Sequence, residues 1–341
     1  MCKFSRSIIK TPMTTSLLVP LLGHLPQRSA LKRLHRSKKL PSAFLFCGPS
    51  GIGKRRVARE LAQTLFCETP DAPYGGCHHC SKCLLVAAHN HPDLHEFDAS
   101  LEGNGATDKL RELLYNLQLT AFYGGHRVII INNAEDLSAQ STNLLLKSLE
   151  EPRPDTHFIL TASNRAQILP TVLSRCQSYH FFPLPEKEVR AVLASQFEGS
   201  ELDELVTLSD GSLSNIDELK EDKEFASLAR KLLREIYQGR AESITKLCSE
   251  LTKDKESLGR RIHFLRIEAR QQMLGATEDK TRLRWALLLT NLLDADYYLF
   301  SRNISAQGLL FEAFTSFCQS QASDSFTLSG LDATIQRLSL V

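Results

Sequence analysis

The 341-residue chain has no run approaching the roughly 20 uninterrupted apolar residues of a membrane span, so it reads as a soluble protein. Its first 59 residues contain no aspartate or glutamate. Thirteen Lys or Arg precede Glu60, although the formal charge of the whole chain is only +2. Such a basic leading segment suits a polyanion, nucleotide or DNA, as readily as it forms a plain solvated face. The opening residues, MCKFSRSIIKTPMTTSLLVPLLG, lack a clean apolar stretch followed by a small-residue cleavage site. No signal peptide is expected, and Met13 is an alternative initiator. Low-complexity segments and internal repeats are missing too. Few aromatics interleave the basic run, which argues against a platform for stacking single-stranded bases. Nine cysteines without a secretion signal point away from a disulfide framework, towards reduced thiols or metal ligands in a cytoplasmic protein.

At this length about two or three domains are expected, and 42% hydrophobic residues suffice for real cores. Residues 42–66, SAFLFCGPSGIGKRRVARELAQTLF, read as an apolar strand, a Gly/Pro turn and an amphipathic helix with Val57, Leu61 and Leu65 at a spacing of four. A second buried strand is HRVIIIN at 126–132, followed by a polar turn and the helix SAQSTNLLLKSLEE. A third is THFILTAS at 156–163. Continuous β-branched runs alternating with helices indicate a parallel sheet covered on both faces. After FFPLPEKEV the sequence turns leucine-rich, charged and helical. The expected organisation is an α/β domain over 1–185, a small helical domain over 186–220 and an all-helical domain over 221–341.

The turn GPSGIGKR at 48–55 is a P-loop in the right context, with Gly48, Gly51, Gly53 and Lys54 in place. The glycines let backbone N–H groups close around phosphate oxygens, the lysine reaches the terminal phosphates, and a following Ser or Thr would hold Mg²⁺. Arg55 replaces that hydroxyl. The degenerate loop leaves Lys54 with two readings, a phosphate ligand or a solvated side chain.

Cys77, Cys80 and Cys83 form C-x-x-C-x-x-C, and Cys67 precedes them at the end of the P-loop helix. Four thiolates about 2.3 Å from one tetrahedral ion are what structural zinc takes, and the turn-rich PDAPYGG between them would hardly hold shape without a staple. The alternatives are free surface thiols, or an iron–sulfur cluster, which would call for a further Cys-Pro downstream. A four-cysteine site leaves no position open for water, so this zinc is structural and not catalytic.

In this order, LPSAFLFCGPSGIGK, the Cys67/Cys77/Cys80/Cys83 cluster, HPD at 91–93, HRVIIINNAEDLSAQSTNLLLKSLEEP, HFILTAS and LPTVLSRCQ, the sequence resembles the bacterial DNA polymerase III clamp-loader subunits, which are AAA+ proteins. The match runs from about residue 20 to 185, and NISAQGLLFEAF at 303–314 looks like the closing helix of their C-terminal collar. The resemblance implies an AAA+ (RecA-like) P-loop domain carrying a zinc module at 67–83, then a helical lid and a helical collar for oligomerisation. It also implies partners: tau/gamma and delta subunits in a hetero-oligomeric ring, with the sliding clamp and primed DNA behind them.

Within that family the choice lies between an ATP-hydrolysing motor of the tau/gamma type and a non-motor ring subunit. Hydrolysis needs Mg²⁺ held by a loop hydroxyl and by an acid at the end of the second strand. Here Arg55 replaces the first, and Asn132 and Asn133 stand where the family has an acidic pair. A neutral carboxamide is a poor ligand for a hard dication. A shift of register would bring Glu135 and Asp136 into the role. In the lid, Ser214 occupies the position of a phosphate-reading arginine. The loop therefore reads as a fold relic or a weak nucleotide site, in which Arg55 takes up part of the metal's place. The resemblance gives Arg175, of the SRC triplet, the role of an arginine finger completing a neighbour's ATP site; the plain alternative is a local carboxylate partner. A free-standing zinc-containing DNA-binding protein is a third reading, suggested by the basic leading segment.

Overall fold

The computed structural model describes residues 22–101, 105–117, 121–123, 125–213, 223–254, 257–302 and 305–320. The chain divides into two compact units, residues 1–215 and 216–341.

The first unit is built on five parallel strands, β1 (Ala43–Cys47), β2 (Leu94–Asp98), β3 (Arg127–Asn132), β4 (Thr156–Ala162) and β5 (Gln177–His180), in the order β2-β3-β4-β1-β5. Helix α1 (Leu25–Arg36) precedes the first strand, and between the strands run α2 (Lys54–Phe66), α3 (Ser81–Ala87), α4 (Ala106–Asn116), α5 (Ala139–Glu150) and the single turn α6 (Pro170–Leu173). Every residue of β1, β3 and β4 is buried because both faces are covered. Side chains alternate across a strand. Phe44, Phe46, Val128, Ile130 and Ile159 accordingly meet Leu31 of α1 and Val57 and Leu61 of α2. Leu45, Ile129, Ile131, Phe158 and Leu160 meet Leu110 of α4 and Leu145 and Leu149 of α5 on the other side.

The strand order sets the site. The carboxyl ends of β1, β2 and β3 bring Gly48, Asp98 and Asn132 to one edge of the sheet, where open α/β folds bind their ligands. Two further helices, α7 (Glu186–Leu193) and α8 (Gly199–Ser209), complete the described part of this unit. After α8 the chain turns back through Gly211, whose φ is 80° and where a Cβ would sit 2.6 Å from the Leu184 carbonyl oxygen. Only glycine fits that approach. The turn returns residues 212 and 213 to the glycine loop.

Among the described residues the second unit is wholly helical: α9 (Lys223–Tyr237), α10 (Glu242–Thr252), α11 (Leu258–Gly275), α12 (Asp279–Arg302) and α13 (Ala306–Gln319). Leu233, Ile236, Leu247, Leu265, Leu288, Leu292 and Phe314 fill its core. Trp285 stacks on Tyr237 with ring centroids 5.5 Å apart and lies 4.9 Å from the Phe317 ring. The buried Arg284 guanidinium covers the Tyr237 ring at 3.9 Å and donates to the Tyr237 carbonyl at 2.8 Å and to Ser320 Oγ at 3.1 Å. A cation so placed gains from the ring quadrupole as well as from its hydrogen bonds.

Candidate functional site

Each glycine of the loop answers a backbone demand. A Cβ on Gly48 would lie 2.2 Å from the Phe181 carbonyl oxygen, while Gly51 and Gly53 have φ of 73° and 102°. The loop carbonyls are tied down in succession. Lys54 Nζ donates to Gly48 O (2.6 Å) and Pro49 O (2.7 Å), Ser212 Oγ to Ser50 O (2.9 Å), the Leu213 N–H to Gly51 O (3.0 Å) and His24 Nε2 to Ile52 O (2.6 Å). Burial lowers the His24 pKa, which suits a neutral ring donating through Nε2. A cavity of about 340 Å³ opens beside the loop, and Lys54, Arg55, Asp98, Asn132, Asn133 and Thr161 help to line it.

Lys54 is 7% exposed, which removes the reading of it as a solvated side chain. Burial is the main influence on its pKa, which is lowered, and the charge of Glu135 opposes the shift. Arg55 turns to strand β2. Its Nε and Nη2 donate to Glu96 Oε2 at 2.9 and 2.6 Å, and its Nη1 lies 4.0 Å from Asp98 Oδ2. One turn along α2, Arg59 donates from Nε to Glu96 Oε1 at 2.7 Å and from Nη2 to Oε2 at 2.8 Å. Burial works against the Glu96 charge, yet the hydrogen bonds and charges of Arg59 and Arg55 outweigh it and hold the carboxyl below its ordinary range. Arg55 is therefore a brace between the P-loop helix and the sheet.

At the end of β3 the carboxamides sit where the sequence places them. Asn133, at φ 52°, donates to Asp98 Oδ1 (2.8 Å) and Ser100 Oγ (3.0 Å). Asn132 Oδ1 accepts the Thr161 hydroxyl at 3.3 Å, and Thr161 Oγ1 in turn accepts the Asn133 N–H at 3.4 Å. Glu135 is turned to the end of β4, where its Oε1 accepts both the N–H (2.7 Å) and the hydroxyl of Ser163. Neither Glu135 nor Asp136 lines the cavity, so the shifted register gains no support. Ser214 lies outside the described residues.

The four thiols converge. Cys67 caps the C-terminus of α2 and Cys80 the N-terminus of α3, and the Sγ atoms of Cys67, Cys77, Cys80 and Cys83 all lie within 4.8 Å of one another. Cys77 and Cys83 are 3.9 Å apart, close to the about 3.8 Å edge of a tetrahedron with 2.3 Å metal–sulfur bonds. The N–H groups of Cys80 and Cys83 donate to the sulfurs of Cys77 and Cys80 at 3.3 and 3.4 Å. Gly76 makes room: a Cβ there would meet Cys83 Sγ at 2.8 Å. A hydrogen bond from the Thr69 hydroxyl leads the interactions that hold Cys77 down to about 5, whereas burial pushes Cys83 up to about 12. The set can hold one metal ion, whose charge would draw the protons from all four. The HPD triplet is structural, since the buried Asp93 carboxylate accepts the N–H groups of Phe122 (2.7 Å) and Tyr123 (3.1 Å).

Arg175 follows α6 with its side chain 33% exposed. Its Nη2 donates to Glu150 Oε1 at 2.6 Å and its Nη1 to Thr171 O at 2.8 Å. It lies outside the residues lining the P-loop cavity. Sequence reasoning missed Glu96, Arg59 and His24. The spacing of Arg55 and Arg59 by one helical turn was a signal for a shared partner, but nothing local marked Glu96 as that partner.

A parallel sheet with a glycine loop at its carboxyl edge, followed by a helical unit, defines an AAA+-type P-loop protein. Residues 25–185 match the family model described as DNA polymerase III, delta subunit. The chain is 38% identical over 177 residues to DNA polymerase III subunit delta' of Pseudomonas aeruginosa, covering 50% of this chain and 53% of that protein. It is 30% identical over 214 residues to subunit delta' of Bacillus subtilis, covering 61% and 63%. To subunit tau/gamma of Haemophilus influenzae it is 34% identical over 171 residues, covering 49% and 24%. The chain thus spans about half the length of the delta' relatives it matches. A solved structure of a DNA polymerase III gamma subunit-related protein from Thermotoga maritima aligns with a TM-score of 0.43 at 16% identity, over 85% of this chain and 99% of that one.

Proposed function

We propose that this chain is a cytoplasmic, non-motor subunit of a bacterial DNA polymerase III clamp loader, in the delta-prime role. It helps to assemble, with tau/gamma and delta subunits, the ring that loads the sliding clamp on primed DNA during replication, and it presents Arg175 to a neighbour's ATP site. One observation carries the reading. The place that must hold Mg²⁺ for hydrolysis has the Asn132 carboxamide on one side and the Arg55 guanidinium, bonded to Glu96, on the other. The identity with delta' relatives supports it, and the 34% identity with tau/gamma reflects the shared domain without restoring the metal ligands.

Arg175 suits work in trans. Its pairing with Glu150 is between partly exposed groups, and such a pair is worth about 0–1 kcal/mol. Exchange for a neighbour's phosphoryl oxygens costs little, and a finger of this kind contributes about 10³ to 10⁵ in rate. The four thiolates are assigned a structural zinc, which staples the segment between α2 and α3 and takes no part in chemistry.

The experiment is co-purification with a tau/gamma motor subunit and an ATPase assay of each component and of the mixture. The isolated chain is expected to show background turnover. The mixture, with delta, clamp and primed DNA, is expected to hydrolyse ATP. Robust Mg²⁺-dependent turnover by the isolated chain would overturn the reading and favour a motor of the tau/gamma type.

A further inference from the structure

The basic leading segment of the sequence ends in a surface that the glycine-loop site does not use. Lys32, Arg33, Arg36, Lys38 and Lys39 follow one another with no acid among them, and all but Lys32 are exposed. The first acid of the chain, Glu60, is taken by Arg28, which donates from Nε to Oε2 at 2.8 Å and from Nη2 to Oε1. The five later cations make no ion pair with any described residue. The C-terminal dipole of α1 offers about half a negative charge, which accounts for one cation of its last turn and not for five. Like charges three or four residues apart on a helix repel, as Lys32 and Arg33 do with Arg36. A polyanion laid on this face relieves that repulsion.

The run sits on the edge of the sheet opposite the glycine loop. Helix α1 leads through residues 37–42 into the start of β1, where His157, near the start of β4, donates from Nδ1 to the Pro41 carbonyl at 2.9 Å. Its chemistry selects among partners. Residues 25–42 contain no Phe, Tyr or Trp on which a single-stranded base could stack. Protein interfaces are anchored by apolar and aromatic side chains and are poor in lysine, whereas the one large apolar side chain that α1 exposes is Leu25, at its other end. A duplex phosphate backbone asks for neither. Over the roughly 10 Å from Lys32 to Lys39, at about 1.5 Å per residue, it presents about six charges.

We propose that Arg33, Arg36, Lys38 and Lys39, with Lys32 beside them, form a contact for the phosphate backbone of duplex DNA, independent of base sequence and separate from the glycine-loop cavity. This goes beyond the ring-subunit reading, in which primed DNA is handled by the assembled ring, because here the chain alone supplies the contact. The duplex is held by charge. Each phosphate neutralised releases counterions, so affinity falls steeply as salt rises.

The test is fluorescence anisotropy of a dye-labelled duplex of about 20 base pairs, titrated with the full, metal-loaded chain at several salt concentrations. With about four phosphates engaged, the logarithm of affinity is expected to fall against that of salt with a slope of about −3 to −4. Arg33→Gln, Arg36→Gln, Lys38→Gln and Lys39→Gln together are expected to flatten the slope by about one for each cation removed and to weaken binding at low salt about tenfold or more. These side chains are exposed and Leu31 keeps its place in the core, so the variant is expected to fold. A charge-matched control on the helical unit, Lys231→Gln, Arg240→Gln, Lys246→Gln and Lys253→Gln, is expected to leave both quantities unchanged. No binding at about 50 mM salt with up to about 100 µM protein, or equal losses in the two variants, overturns the contact. So does tighter binding of the matching single strand than of the duplex, or patch-dependent binding to phosphatidylglycerol vesicles with none to DNA. The ring-subunit reading is decided separately, by co-purification with the motor subunit, so either can fail while the other stands.

Discussion

Arg55 stands where the loop's metal-binding hydroxyl belongs, and its surroundings are set by a glutamate 41 residues away. The arginine was legible in the sequence as a departure. Its partner was not, because Glu96 comes from a strand too short and polar to announce itself. Two guanidiniums share the Glu96 carboxylate, so Glu96→Gln removes the charge between them and leaves Arg55 only Asp98, 4.0 Å away. A loss of about 2 kcal/mol is expected in urea unfolding, below the figure for a fully buried pair because Arg55 is partly exposed. The pH dependence follows from the lowered carboxyl. The folded-state pKa lies beneath the ordinary 4.5, so the stabilisation is complete above that value and is lost as pH falls through the folded-state pKa. The variant should accordingly flatten the acid limb of a stability–pH curve, and an unchanged limb would remove the brace from the account. Arg55→Thr is expected to restore a hydroxyl but not turnover in a Mg²⁺-ATPase assay. Asn132 and Asn133 still offer no anionic ligand, and parts of such a site act as a unit.

At the scale of elements, the buried strands β1, β3 and β4 were readable as apolar runs, and the positions of the four cysteines were readable as one cluster. The edge strands were not. LHEFD and QSYH are only partly buried, so they lack the continuous hydrophobicity that marked the other three. Helix α1 escaped for a related reason: Leu31 is the only residue it buries fully, and basic side chains cover the rest. The thiolate cluster joins the end of α2 to the start of α3 and stands outside both faces of the sheet core. Metal removal, or Cys80→Ser, should therefore raise hydrogen exchange over residues 67–95 while β1, β3 and β4 stay protected. About one zinc per chain is expected by metal analysis, as four thiolates require. Iron in the purified protein, or sheet amides that lose protection together with the cluster, would contradict this.

For the whole molecule, the prediction concerns Arg175. It follows the single turn α6, and its side chain is partly exposed. A carboxylate partner was the plain alternative for this arginine, and Glu150 is that partner, though its identity was not legible because the contact joins two segments through a helix end. Arg175→Ala should leave folding and ring assembly nearly intact, since a partly exposed side chain carries little packing energy. In a reconstituted ring it should lower clamp- and DNA-stimulated ATPase in part, at the one motor site beside this subunit. Arg175→Lys should rescue poorly, because a point charge lacks the planar fork. Unchanged ATPase and clamp loading with Ala would reduce the subunit to a scaffold, and a ring that fails to assemble would give Arg175 a structural task.

The aromatic stack in the second unit has a practical meaning. Trp285 is the chain's only tryptophan, it is 5% exposed, and its ring neighbours Tyr237 and Phe317 belong to the same unit. Its emission is thus an optical report on the packing of the helical unit. Stripping the metal should leave the emission maximum where it is even as the 67–95 segment loosens. A red shift on chelation would mean that the two units communicate.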